Sequence, residues 1–147
     1  MEKQCEFIER EIERIIKASP ILASKADIVK SIPGVGKVTA YTLLAEMPEL
    51  GSVSNKQIAA LAGVAPFIKQ SGKDKGRATI SGGRQALRSV LYMAAMVAVQ
   101  WNSAFKVFYK RLKESGKKPK LALVAVMRKL IVILNIMVRK GQHWRYA

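Results

Sequence analysis

Apolar residues recur at helical spacing along most of the chain, and no stretch alternates strictly between apolar and polar; the pattern predicts an all-α fold. Residues 3–18 read as an amphipathic helix in which Ile8, Ile12, Ile15 and Ile16 form one stripe, and Pro20 ends it. This narrow stripe fits either the end of a coiled coil packing on a partner, including a second copy of the chain, or a simple capping helix. Ser24 is placed to cap a short helix over 25–31, and a second helix is expected from about Gly36 to Met47, closed by Pro48. Ser54 with Gln57 makes a capping box that opens a helix through about Leu61. Residues 63–82, rich in Gly, Lys and Ser, read as loop. A helix over 83–100 follows; Val90–Val99 is apolar on every side, which predicts deep burial. Asn102 or Ser103 can cap a helix over 104–114, Gly116–Pro119 is a basic turn, and a last helix over 120–139 stops at Gly141. The expected organisation is an N-terminal packing helix over 1–20 and a helical domain over 21–147.

The most apolar run, 121–138, has the length of a membrane span. Arg128 and Lys129 stand at its middle, where each opposes insertion by roughly 2.5–3.5 kcal/mol. It is read as a buried helix, with no membrane partner. Glu2 stands where a secretory signal would need a basic start, so no signal peptide is expected.

Charge narrows the partners. Of 147 residues, 26 are Lys or Arg and 10 are Asp or Glu, a net of +16 that points to polyanions, nucleic acid first. Residues 1–50 hold 7 bases and 8 acids, whereas 51–147 hold 19 bases and only Asp74 and Glu114. The excess therefore lies entirely in the last two thirds. With one cysteine, Cys5, and one histidine, His143, an internal disulfide is impossible and a Cys/His zinc site nearly so. Half of the acids sit on the N-terminal segment, so no carboxylate metal site and no resident cofactor are expected in this chain.

Two segments carry candidate chemistry. Ile32-Pro33-Gly34-Val35-Gly36-Lys37, followed by Ala40, has the form of a helix-hairpin-helix. Gly34 and Gly36 would allow the sharp turn and the close approach. Backbone N–H groups at the second helix start could receive a phosphate, with Lys37 beside them. A plain Pro-Gly turn accounts for the same residues. A Walker loop does not: Ser31 stands where its first glycine belongs, Val38 where Ser or Thr belongs, and no strand precedes it. The second segment places Ser71 among Lys69, Lys73, Lys75 and Arg77, followed by Ser81, Arg84 and Arg88. These cations could form one phosphate basin, and a serine hydroxyl there could attack a phosphodiester. By spacing alone such a serine is more often a solvated hydroxyl.

Several ordered blocks make the chain resemble bacterial transposases of the IS-110 group. They are Ile32-Pro-Gly-Val-Gly, Leu61-Ala-Gly-Val-Ala-Pro, Ser71-Gly, Gly82-Gly-Arg and Ala86-Leu-Arg-Ser-Val-Leu-Tyr-Met-Ala-Ala. Downstream, Asn102, Phe105, Phe108-Tyr109, Gly116-Lys117, Leu134-Asn135 and Trp144 continue the likeness, which covers roughly 25–145. The resemblance implies a C-terminal transposase domain. In that family an RNase H-like domain binds Mg²⁺ through four carboxylates, and a coiled coil leads to a domain with one serine nucleophile. The family forms a DNA–phosphoserine link and is guided by a bridge RNA. The serine of its Pro-x-x-x-x-Ser-Gly block falls on Ser71; Ser81 stands where relatives often carry a bulky residue. The departure is that no carboxylate domain matches this sequence. The expectation is thus a DNA-binding domain of the bacterial cytoplasm and nucleoid, with Mg²⁺ and bridge RNA belonging to the complete machinery, and with no recombination by these residues alone. The alternative is a helix-hairpin-helix module that binds nucleic acid without chemistry.

Overall fold

A computed structural model describes residues 2–64 and 84–145. Among the described residues the structure is all-helical. The helices are α1 (Glu2–Ala18), α2 (Pro20–Lys30), α3 (Lys37–Glu46), α4 (Asn55–Leu61), α5 (Gln85–Trp101), α6 (Ser103–Glu114) and α7 (Pro119–Lys140).

Local chemistry explains most of the boundaries. Pro20 ends α1 but also opens α2 one residue after its cap, Ser19, whose Oγ accepts the Leu22 N–H at 3.3 Å. The expected Ser24 cap is therefore displaced five residues upstream: a proline at the first helical position forfeits no internal hydrogen bond. At α4 the Gln57 N–H donates to Ser54 Oγ at 3.1 Å, and the Ser54 N–H donates to Gln57 Oε1 at 3.0 Å. Asn102 Oδ1 accepts the Ala104 N–H at 3.1 Å and caps α6. Gly141, at φ 65°, closes α7 in the left-handed conformation that glycine adopts without strain.

α5 and α7 form the centre. α7 packs on α5, α4, α6 and α2, and α3 and α6 also pack on α5. Leu87, Leu91, Leu130, Ile131 and Leu134 are fully buried between them with Phe105. The apolar run of α7 thus goes into the protein core, while Lys129 reaches the surface with its ammonium 4.5 Å from the Phe108 ring centroid. A second, smaller cluster joins Ile16, Ala26, Tyr41 and Leu44, and fastens the end of α1 to α2 and α3. Of the predicted isoleucine stripe only Ile16 is buried and Ile12 half-buried; Ile8 and Ile15 are exposed.

Deep burial of Val90–Val99 is not what the structure shows. Leu91, Ala94, Ala95 and Ala98 face the core, but Met93 is 67% exposed, and Tyr92, Met96 and Val97 are exposed as well. Alanines let α3 and α7 approach one side closely, and among the described residues nothing covers the other.

Candidate nucleic-acid interface

The hairpin turn separates its two glycines by role. Gly34 has φ +104°, and a Cβ built there would stand 3.0 Å from both Cα and N of Ala98. Its lack of a side chain lets the α2–α3 turn seat on the α5 backbone. Gly36 caps α3 with φ −89° and open space around its Cα, so neither conformation nor packing demands glycine. Its exposed N–H end of α3 faces no side-chain cap. The C-terminal tail braces the same turn: the Trp144 N–H donates to Ser31 Oγ at 2.8 Å, and the Trp144 ring stacks on Phe105 at 6.2 Å between centroids.

Lys37, expected to add a charge beside a phosphate, forms an ion pair with Glu13 of α1 at 2.6 Å. The Lys37 and Lys17 ammonium groups hold the Glu13 carboxyl down at about pKa 2, and Glu13 in turn raises that of Lys37. Half of the Lys37 side chain remains exposed, so an anion reaching it competes with Glu13.

Arg84 and Arg88, both expected in the phosphate basin, have different surroundings among the described residues. The Arg84 guanidinium grips Glu49 with two bonds, NH1 to Oε1 at 3.1 Å and NH2 to Oε2 at 2.7 Å, and also donates to the Glu46 carbonyl. It ties the start of α5 to the end of α3 and holds the Glu49 carboxyl below the usual carboxylate range. Arg88, half-buried one turn later, has an Nε that is buried and finds no acceptor among the described residues. Lys69, Ser71, Lys73, Lys75, Arg77 and Ser81 lie outside the described residues.

Among the described residues, a cluster of unpaired positive charge lies on α6 and the turn after it. Lys106, Lys110, Arg111 and Lys113 of α6, with Lys117 and Lys118 of the following turn and Lys120 at the start of α7, are all exposed and form no ion pair with a described carboxylate. The basic turn is visible in the sequence; that it joins one face of α6 requires the folded helix. No group of three or more His, Cys, Asp or Glu able to hold a metal ion occurs among the described residues.

Comparison with known proteins gives the family. The family model described as "Transposase IS116/IS110/IS902 family" matches residues 26–110, from α2 through most of α6. The chain is similar to the pilin gene-inverting protein of Moraxella bovis, with 34% identity over 92% of this chain and 43% of that protein. It is also similar to an IS110 insertion-element protein of Streptomyces coelicolor, with 29% identity over 95% of this chain and 34% of that protein. An IS900 insertion-element protein of Mycobacterium paratuberculosis is 28% identical over 78% of this chain. The chain thus spans about two fifths of the pilin gene-inverting protein.

Proposed function

Since the chain belongs to the transposase IS116/IS110/IS902 family, we propose that it is the DNA-binding domain of an insertion-sequence transposase and supplies a serine nucleophile for strand cleavage and exchange. The observation that carries this reading is the family match over 26–110, a span that includes Ser71 and the α2–α3 hairpin. The pilin gene-inverting relative, by its name, rearranges a gene, which supports the same class of reaction here.

In this reading the Ser71 oxygen attacks a DNA phosphorus. A phosphoserine ester forms, the bond to one deoxyribose oxygen breaks, and that oxygen leaves as a hydroxyl after taking up a proton. Lys69, Lys73, Lys75 and Arg77 would neutralise charge gathering on the phosphoryl oxygens, and Arg88, whose Nε has no described partner, would add to them. Lys37 and the start of α3, beside Gly36, would hold the sugar–phosphate backbone without reading bases, Gly34 having set the turn. Arg84 would contribute mainly by anchoring α5 through Glu49. Mg²⁺ and its carboxylates would come from an RNase H-like domain outside these 147 residues. A bridge RNA would direct target choice, and the exposed apolar end of α1 would join protomers in the cytoplasm.

Covalent trapping tests the reading. The chain is combined with a cognate carboxylate domain, guide RNA and DNA, and protein linked to DNA is collected. Loss of the adduct in Ser71→Ala but not in Ser81→Ala supports Ser71; the reverse moves the nucleophile to Ser81. Tight DNA binding with no adduct in any combination would instead leave a nucleic-acid-binding module without chemistry.

A further inference from the structure

The exposed faces of α5 and α6 and the start of α7 enclose a continuous groove. One stretch, of about 630 Å³, is walled by Lys106, Lys110, Lys113 and Glu114 of α6 and by Val99 and Gln100 of α5. It shares Val99, Gln100 and Tyr109 with a second stretch of about 520 Å³ that reaches Tyr92, Met96 and Lys120. Tyr92 and Lys120 then lead into a third, of about 430 Å³, ending at Arg88, Gly63 and Val64. The groove therefore runs from the C-terminal end of α6 to the residues that flank segment 65–83 in sequence.

Two kinds of side chain alternate along it. Lys106, Lys110 and Lys113 recur at intervals of four and three, which places them on one helix face, and none pairs with a described carboxylate. Aromatic rings line the groove as well: Tyr109 among these lysines, with the Lys113 ammonium 5.4 Å from its centroid, and Tyr92, 43% exposed, farther along with Lys120. A duplex hides its base faces and would meet only the lysines, leaving the tyrosine and methionine surface unused. A single strand offers both phosphates and unstacked bases, the combination that cationic grooves with aromatic platforms recognise. An acidic peptide would answer the lysines but gives the rings no planar partner.

We propose that this groove binds a single strand of DNA, with Tyr92 and Tyr109 stacking on bases and Lys106, Lys110, Lys113 and Lys120 holding phosphates. The inference rests on the nucleic-acid reading above and adds to it a second surface, on α5–α7, separate from the hairpin. A strand lying in it is led to Arg88, whose unpartnered Nε stands at its far end.

The test is fluorescence anisotropy of the full chain with labelled oligothymidylate, a duplex of the same length, oligouridylate and polyglutamate. Oligothymidylate should bind more tightly than the duplex and polyglutamate. Lys106→Ala/Lys110→Ala/Lys113→Ala should weaken it and lower the slope of log K against log salt by about 2, at roughly 0.7 for each phosphate no longer neutralised. Tyr92→Ser should weaken the single strand roughly tenfold with the salt slope unchanged, and leave the duplex unaffected. These side chains are exposed, and unchanged helical circular dichroism verifies the fold. Preference for the duplex, equal binding of polyglutamate, tighter binding of oligouridylate, or insensitivity to both variants overturns the proposal. If DNA binding persists in both groove variants yet falls in Lys37→Ala, the groove fails while the transposase reading stands. Absence of any nucleic-acid binding defeats both.

Discussion

Gly34 and Ala98 touch backbone to backbone: a β-carbon on Gly34 would sit 3.0 Å from the Ala98 Cα and amide nitrogen. This close approach seats the α2–α3 turn on α5, and φ +104° adds a second reason for glycine. Gly34→Ala is expected to lower stability by roughly 1–3 kcal/mol, from strain and overpacking, in urea unfolding. Gly36→Ser should be neutral or slightly stabilising, because Gly36 has ordinary backbone angles and a serine there can cap α3. Equal losses from the two substitutions would contradict this division of roles.

Asn135 joins α7 to the chain before α4. It is fully buried, yet its Oδ1 accepts the Gly51 N–H at 2.7 Å and its Nδ2 donates to the Val53 carbonyl and Asn55 Oδ1 at 3.0 Å each. Asn135→Leu strands the part-buried Gly51 N–H, whereas the Val53 carbonyl keeps its bond from Arg139 at 2.9 Å, so a loss of about 1–3 kcal/mol is expected, measured by chemical denaturation. Amide exchange at Gly51 should rise first. Gly51 lies close by, and a Cβ there would meet Val138 Cγ1 at 2.6 Å, so Gly51→Ala should loosen the same junction.

Arg84 and Glu49 form a two-bond pair at the junction of α3 and α5. The pair is part-exposed, so Arg84→Met should cost only about 1 kcal/mol. The informative readout is local: faster amide exchange across residues 46–50, with DNA affinity reduced less than by Arg88→Ala. Arg84→Lys should not restore the bidentate grip, since an ammonium lacks the planar fork.

Acid should release α1 before the rest of the fold. The Glu13 carboxyl ordinarily titrates near 4.5 and is held at about 2 by Lys37 and Lys17. A carboxyl with a lowered folded pKa contributes stability above its unfolded value and loses it as pH falls through the folded one. Docking of α1 should therefore be complete above about pH 4.5 and weaken progressively toward pH 2. Carboxyl NMR titration of Glu13 with α1 amide protection follows this directly. Glu13→Gln should remove the acid step and weaken docking at neutral pH.

The capping box of α4 and the stop at Gly141 depend on residues within one turn of each other, and local rules find them. The asymmetry of charge is equally legible. A motif singles out Ser71, and composition singles out Lys69, Lys73, Lys75 and Arg77. What local rules misjudge are long-range partnerships. Lys37 and Arg84 look alike in sequence to free lysines and arginines, but Glu13 lies 24 positions before one and Glu49 lies 35 before the other.

The sequence by itself determined that the chain is helical, where most helices begin and end, and that its last two thirds are cationic. Those properties follow from spacing, capping and charge, which act over a few residues or none. Only the tertiary structure decided which cations are neutralised, because an ion pair needs proximity in space. It also decided which side of an all-apolar helix is covered. Hydrophobicity drives α5 to bury surface but does not say against what; its alanines meet α3 and α7, and Tyr92, Met93, Met96 and Val97 remain exposed beside the lysines of α6.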